Sequence, residues 1–318
     1  MSFAVATFNV ENLGGGGAGA ATLEARIAAL APILARLKAD VLCLQEVNAP
    51  RDASGARGFS PLNRLLAGAD YAGFHRVASL RPGSDEPADV HNLVILSRFP
   101  VESSGQIHHD FVPAWDWTPP GEASPVRATF DRPILHARLR TPEGPLHVLN
   151  LHLRAPRAAH LPADKTQGRW LTSAGWAKGF FLAAQLRQAQ ALEARLHVES
   201  LFDADPQARI LVCGDFNAES FETPTRLICG APEDAAPSAD DAFAERWLER
   251  LEARVEPARR HSVIHDGRRI LLDHLLASPA LARACSGVEI FNEGLADEAH
   301  AQGEIAGSLH APVVARFT

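Results

Sequence analysis

Polar residues able to do chemistry stand at the ends of apolar runs, where a hydrophobic core has no use for them. Asn9 follows Phe3-Ala4-Val5-Ala6-Thr7-Phe8, and Glu46 closes Val41-Leu42-Cys43-Leu44-Gln45. Asn150 and His152 fall on one face of an extended run by its period of two. Asp215 and Asn217 follow Leu211-Val212-Cys213-Gly214. Asp273-His274 splits two leucine-rich pieces, and His310 precedes Ala311-Pro312-Val313. One such residue reads as a capped strand end; a series of them in one chain points to a shared site. Gathering carboxylates without a cation raises the free energy through like-charge repulsion. A hard divalent metal with oxygen ligands relieves it. The expected chemistry is therefore metal-assisted.

In chain order the motifs are Thr7-Phe8-Asn9-Val10-Glu11-Asn12, Leu44-Gln45-Glu46-Val47, Asn150-Leu151-His152-Leu153, Gly214-Asp215-Phe216-Asn217, Leu272-Asp273-His274 and Ser308-Leu309-His310-Ala311-Pro312-Val313. This series resembles the endonuclease/exonuclease/phosphatase superfamily, whose members include DNase I-like nucleases, and the resemblance runs from Phe8 to Val313. It implies a four-layer α/β sandwich, two packed mixed β-sheets flanked by helices, over a single domain spanning 1–318. It also implies hydrolysis of phosphoric esters with Mg²⁺ or Mn²⁺. By the same resemblance Glu46 is the metal carboxylate and Asn9 the amide supporting the metal site. Glu11, two residues on and so on the same face of an extended strand, is a second carboxylate there. His310 is similar to the histidine that activates water, and Asp273 to the carboxylate that orients it. Asp215 and Asn217 resemble the pair beside the nucleophile and scissile phosphate. His152 resembles the donor to a phosphate oxygen as charge builds there.

One position departs from the pattern. Relatives usually carry Asp immediately before the last histidine, and here it is Leu309. Leucine neither binds metal nor accepts a proton, so Glu11, Asp215 or a loop carboxylate would have to compensate. Arg154 and Arg157 follow His152 closely and are the expected contacts to substrate phosphate. His108-His109-Asp110 lacks metal-ligand spacing and reads as surface. His274 should face away from Asp273 and pack or cap. Trp115, Trp117, Trp170 and Trp176 either anchor loops or stack on bases.

Strands and helices must position these groups. Strands are predicted at 3–10, 40–46, 91–97, 135–139, 147–153, 209–214, 269–277 and 313–317. The turn Thr141-Pro142-Glu143-Gly144-Pro145 suggests a hairpin. Helices are predicted over 22–38, which Pro32 should kink or divide, and over 180–201. The segments 14–21, 110–125, 155–176 and 231–241 read as loops.

Composition limits the function classes. Of 318 residues, 46% are apolar and 22% charged, as in a globular protein. No apolar run reaches membrane-spanning length. The start Met1-Ser2-Phe3-Ala4-Val5-Ala6-Thr7 reads as a strand without a basic leader, so the expected location is cytoplasmic. Cys43 and Cys213 read as buried free thiols. A net charge of -7 argues against non-specific coating of nucleic acid. Between Val126 and Lys178, however, nine Lys/Arg stand against three Asp/Glu, a balance that attracts phosphate. The first function expected is a nuclease on DNA or RNA. The second is a phosphodiesterase or phosphatase of small or lipid-derived esters. The third is a phosphate-binding relative without turnover, motivated by Leu309. Oligomeric state is left open.

Overall fold

The computed structural model describes residues 2–15, 21–230, 244–301 and 305–318. The predicted loop at 231–241, and 16–20 of that at 14–21, lie outside them. Two six-stranded mixed sheets form the centre. The first runs Cys285–Ile290, Val313–Phe317, Phe3–Leu13, Val41–Val47, Asn92–Ser97, His75–Ala78. The second runs Glu249–Arg250, Asp273–Ala277, Ile210–Asp215, Gly144–His152, Ile134–Thr141, Val101–Ile107.

Strand alternation sorts side chains into three packed layers. Val5, Val41 and Cys43 of the first sheet meet Val148, Leu211, Cys213 and Leu275 of the second between the sheets. Cys43 and Cys213 are free thiols there, and burial pushes the Cys43 thiol up. The intervening Ala4, Ala6, Phe8, Leu42 and Leu44 face the helix Leu23–Leu37 through Leu30, Leu34 and Leu37. Leu149, Leu151, Ile210 and Val212 face the long helix Ser173–Ala204 through Ala191, Ala194, Val198 and Phe202. Helices outside two packed sheets make the four-layer sandwich.

Each sheet contains one parallel pair. Phe3–Leu13 runs parallel to Val41–Val47, and Gly144–His152 parallel to Ile210–Asp215. Parallel strands end on the same side, which brings Asn9 beside Glu46 and His152 beside Asp215. The two ends are fastened across the core by Asn150. Its amide donates to Leu44 O and Val94 O, and its Oδ1 accepts from Gln45 at 2.7 Å.

Several elements differ from the sequence reading. The helix Leu23–Leu37, capped by the Thr22 hydroxyl, runs as one element through Pro32, because Leu30 and Leu34 pack on either side of the missing N–H. The strand predicted over 269–277 is two, Arg268–Ile270 and Asp273–Ala277. Between them Leu272 N–H bonds Ser262 Oγ instead of a strand neighbour. The segment 110–125 holds a short strand, Trp115–Trp117, paired with Val126–Ala128. The second helix begins at Ser173, seven residues before the apolar pattern, under a Thr172 cap. The hairpin has a two-residue turn, with Thr141 opposite Gly144. Among the described residues no helix is long and apolar enough to cross a membrane.

On the outer face of the second sheet three imidazoles form a chain. His136 Nε2 meets His147 Nδ1 at 3.0 Å, and His197 Nε2 meets His136 Nδ1 at 3.2 Å. Burial, with the neighbouring rings adding, lowers His136 to about 3 and His197 to about 4. Both are neutral in the fold near pH 5, while an unfolded histidine near 6.5 takes up a proton. Stability is therefore full above pH 6.5 and declines as pH falls toward 3, by about 1–2 kcal/mol per histidine at pH 5. Melting temperature should drop between pH 7 and 4, and His136→Gln should shrink the drop. An unchanged drop in that variant would remove the cluster as its cause.

Candidate active site

The first sheet contributes its carboxylates through distorted strand ends. Glu46 has φ 60°, and Glu11 and Asn12 have φ 51° and 53°. The register between Phe3–Leu13 and Val41–Val47 shifts between Asn9 and Leu13. Glu11 thus reaches the cleft through a bulge, not by the alternation expected of an extended strand. Arg26, buried on the helix stripe with Leu30 and Leu34, holds the bulge open. Its guanidinium donates to Val10 O and Glu11 O, and also to Ile305 O and Gly307 O. The chain at 308–310 is clipped to the same bulge. Ser308 Oγ donates to Asn9 O, and Leu309 N–H donates to Glu11 Oε2 at 2.7 Å. A carboxylate therefore sits at the backbone of the one position where the motif lost its aspartate.

The second sheet brings Asp215 and Asn217 through a turn that begins at Gly214. A side chain there would collide with the Leu151 backbone on the neighbouring strand, so glycine lets the two strands close up. Phe216 N–H bonds Leu272 O, and Leu153 N–H bonds Asp215 O. Asp273 is fixed from behind by its neighbour. His274, fully buried, bonds Glu252 Oε1 at 2.7 Å and Ala218 O at 2.9 Å. It packs on the far side of the strand from the cleft, as its place after Asp273 implies. Burial disfavours its charge, but Glu252 outweighs that and raises the imidazole.

Asn9 lies at the centre. Its Nδ2 donates to Glu46 Oε1 at 3.2 Å and to Asp215 Oδ2 at 3.0 Å, joining the two sheets' carboxylates on one nitrogen. Its Oδ1 accepts from Glu11 N–H, so Asn9 brackets the carboxylates and offers no oxygen toward them. Asp215 is buried, and burial raises it to about 6, although His310 works the other way. An anion so placed calls for positive charge.

His310 Nδ1 stands 2.8 Å from Asp273 Oδ2, and His310 Nε2 stands 3.9 Å from Asp215 Oδ2. Burial lowers this imidazole, but Asp273 and Asp215 prevail and lift it to about 10. Asn217 donates its backbone N–H to Asp215 Oδ1, and its amide to Asp215 Oδ2 and Leu153 O. Its side-chain amide is thus engaged with Asp215 and with the Leu153 carbonyl.

His152 Nε2 faces Asp215 Oδ2 at 3.4 Å and Glu46 Oε1 at 3.8 Å. Its Nδ1 lies 2.6 Å from Arg132 Nη1. A guanidinium only donates, so this Nδ1 accepts and the ring's proton sits on Nε2. Burial first, then Arg132, holds His152 far below the ordinary imidazole range. Of the two arginines expected at the phosphate, Arg157 lines the cleft. Arg154 is turned away onto Asp131 at 3.0 Å, with its backbone N–H on Gln190.

The sequence reading missed Arg132, His91 and Arg26. Arg132 and His91 line the cleft with the expected residues. A signal existed for each. Arg132-Pro133 precedes a predicted strand, His91 opens one, and Arg26 begins the spacing 26, 30, 34, 37 on the buried helix face. Five of the nine described non-glycine residues with positive φ line this cleft, namely Glu11, Asn12, Glu46, His91 and Asn217. Strain concentrated in this way is characteristic of functional sites.

Two sheets meeting over a cleft of carboxylates and imidazoles define a hydrolase of phosphoester bonds. The chain belongs to the endonuclease/exonuclease/phosphatase family, whose model matches residues 6–303. No curated protein sequence matches it. Among solved structures, a family member from Bacteroides thetaiotaomicron is 13% identical with a TM-score of 0.60, covering 99% of this chain and 97% of that one. A variant of the 3' phosphatase NExo from Neisseria, bound to product DNA hairpin, is 19% identical with a TM-score of 0.54, covering 99% of each chain. An AP endonuclease from Archaeoglobus fulgidus is 18% identical with a TM-score of 0.55, also covering 99% of each. At these identities the likeness concerns the fold.

Proposed function

We propose that this chain hydrolyses phosphoester bonds with a divalent cation held at Glu46 and Asp215, using His310 as the base toward water. The observation that carries the reading is the joining of these two carboxylates on Asn9 beside the His310–Asp273 pair. Carboxylate oxygens suit Mg²⁺ or Mn²⁺, and Asp215, raised chiefly by burial, is a carboxylate that a cation would favour. When bound, such a cation offsets the charge of the carboxylates and of the phosphate oxygens. Asp273 and Asp215 keep the ring protonated, so His310 would serve as base once a bound cation offsets the Asp215 charge. Its Nε2, with Asp273 holding Nδ1–H, would then accept a proton from water as the new P–O bond forms, and the proton would pass to the alcohol oxygen as its bond to phosphorus breaks. His152 Nε2–H donates to a phosphate oxygen.

Glu11 supplies the carboxylate that position 309 lacks. Glu11→Gln should narrow the rise in melting temperature on adding Mg²⁺, and Leu309→Asp should widen it, since ligand binding to the folded state adds stability that grows with the logarithm of affinity. Equal rises in all three proteins would separate Glu11 and position 309 from the metal.

The cleft measures about 420 Å³, the size of a small-ligand pocket. Six carboxylates line it against two arginines, Arg132 and Arg157. An acidic rim suits a small phosphoester or a chain end better than the length of a duplex. The nuclease reading stands second, favoured by Arg157 and by the DNA-directed proteins of like fold. Metal-stripped protein given plasmid DNA and a chromogenic phosphoester, each with and without Mg²⁺ or Mn²⁺, separates the two. Ester turnover without nicking supports the first and metal-dependent nicking the second. Metal binding with no turnover of any phosphoester would leave only a phosphate-binding protein.

A further inference from the structure

Arg132 fixes two imidazoles at once. Besides His152 Nδ1 at 2.6 Å, its Nη1 reaches His91 Nδ1 at 3.4 Å. One nitrogen carries two hydrogens, one for each ring. Both rings must accept at Nδ1, so both carry their proton on Nε2. The rings lie nearly parallel, 26° apart with centroids 6.1 Å from each other. They flank the Glu46 carboxylate, with one ligand atom from each of the three residues all lying within 4.8 Å of one another. That cluster has the outline of a metal site, but a nitrogen bearing a proton cannot ligate. The arrangement suits an anion instead.

His91 is also held in an unfavourable backbone state. Its φ is 61°, and its N–H is secured by Asn48 Oδ1 at 3.0 Å. Arg132 Nε is buried without a hydrogen-bond partner among the described residues.

Resting on the hydrolase reading above, we propose that His91 is a specificity-determining residue that selects a terminal phosphate, a phosphomonoester, over an internal phosphodiester. A diester phosphorus has two non-bridging oxygens, which the cation site and His152 satisfy. A monoester has a third, with a second negative charge. His91 Nε2–H, backed by the Arg132 guanidinium, supplies the additional donor. The ester can come from a small metabolite or from a nucleic-acid end.

The test compares p-nitrophenyl phosphate with methyl p-nitrophenyl phosphate, which share a leaving group, in Mg²⁺-loaded wild type and His91→Asn. Asparagine tolerates the left-handed backbone but falls short of the imidazole's reach. The wild type should favour the monoester in kcat/KM. In His91→Asn the monoester-to-diester ratio should fall at least about tenfold, the scale of one lost donor to a charged oxygen. The ratio is read within one protein, so partial misfolding does not mimic it. An unchanged ratio, or a wild type favouring the diester, would overturn the proposal. So would loss of Mg²⁺ affinity in His91→Asn, which would make His91 a ligand. If the wild type turns over neither ester, the hydrolase reading falls, and calorimetric binding of inorganic phosphate decides this one. Weaker binding in His91→Asn upholds it and equal binding rejects it. A nucleoside monophosphate and a phosphate-ended oligonucleotide, run in parallel, distinguish the two sources.

Discussion

His310→Gln should lower kcat by about 10²–10⁴-fold, the usual contribution of a positioned acid or base. Asp273→Asn should do the same, although Asp273 approaches the cleft only through the imidazole. Its Oδ2 sits 2.8 Å from His310 Nδ1 and directs Nε2 toward the reacting water. Because the pair acts as a unit, the double variant should lose little more than either single one. Each single variant also leaves a buried partner without its mate, which costs stability. Kinetics must therefore be read below the variants' melting temperatures, with folding checked by circular dichroism. Losses that multiply in the double variant would mean that the two residues act separately.

Glu46→Gln should weaken divalent-metal binding by at least about 100-fold, above the effect of losing an outer partner of a metal ligand, and remove metal-dependent turnover. The substitution is nearly isosteric. Glu46 Oε2 accepts from Asn12 N–H at 3.0 Å and Oε1 accepts from Asn9, so an amide can keep one of these bonds at most. The fold should survive because the rest of the strand Val41–Val47 is packed by Leu42, Cys43 and Leu44, which do not depend on the carboxylate. Retained Mg²⁺ affinity in a folded Glu46→Gln protein would move the metal to other residues.

The sequence was most legible where one residue type does one thing. The strands at 3–10, 40–46, 147–153, 209–214 and 313–317 were legible as apolar runs flanked by polar residues, whereas the parallel pairing that brings their carboxyl ends together is seen only in the folded sheets. Local pattern was insufficient where tertiary contact decides. Glu11 was expected on Asn9's face by alternation, yet a bulge gripped by Arg26 delivers it, and the grip comes from a helix elsewhere in the chain. Asn9 and Asn217 were recognised as site residues, but which way an amide turns depends on partners from the opposite sheet. Arg154 and Arg157 look alike in sequence. Asp131, 23 residues before Arg154, takes one of them from the cleft. Arg132 escaped notice because its partners are far apart in sequence: His91 lies just before a strand of the first sheet and His152 ends a strand of the second. Only the packed sandwich places all three together.

On the proposed function, the Glu46–Asp215 centre hydrolyses phosphoesters only with a divalent cation. The most direct measurement is phosphoester turnover by chelator-treated protein in ¹⁸O-labelled water, before and after Mg²⁺ is restored, alongside Glu46→Gln. The expected result is no turnover without the cation and ¹⁸O-labelled phosphate product once it returns in wild type alone. Turnover that persists in chelator, or equal recovery in Glu46→Gln, would contradict the account.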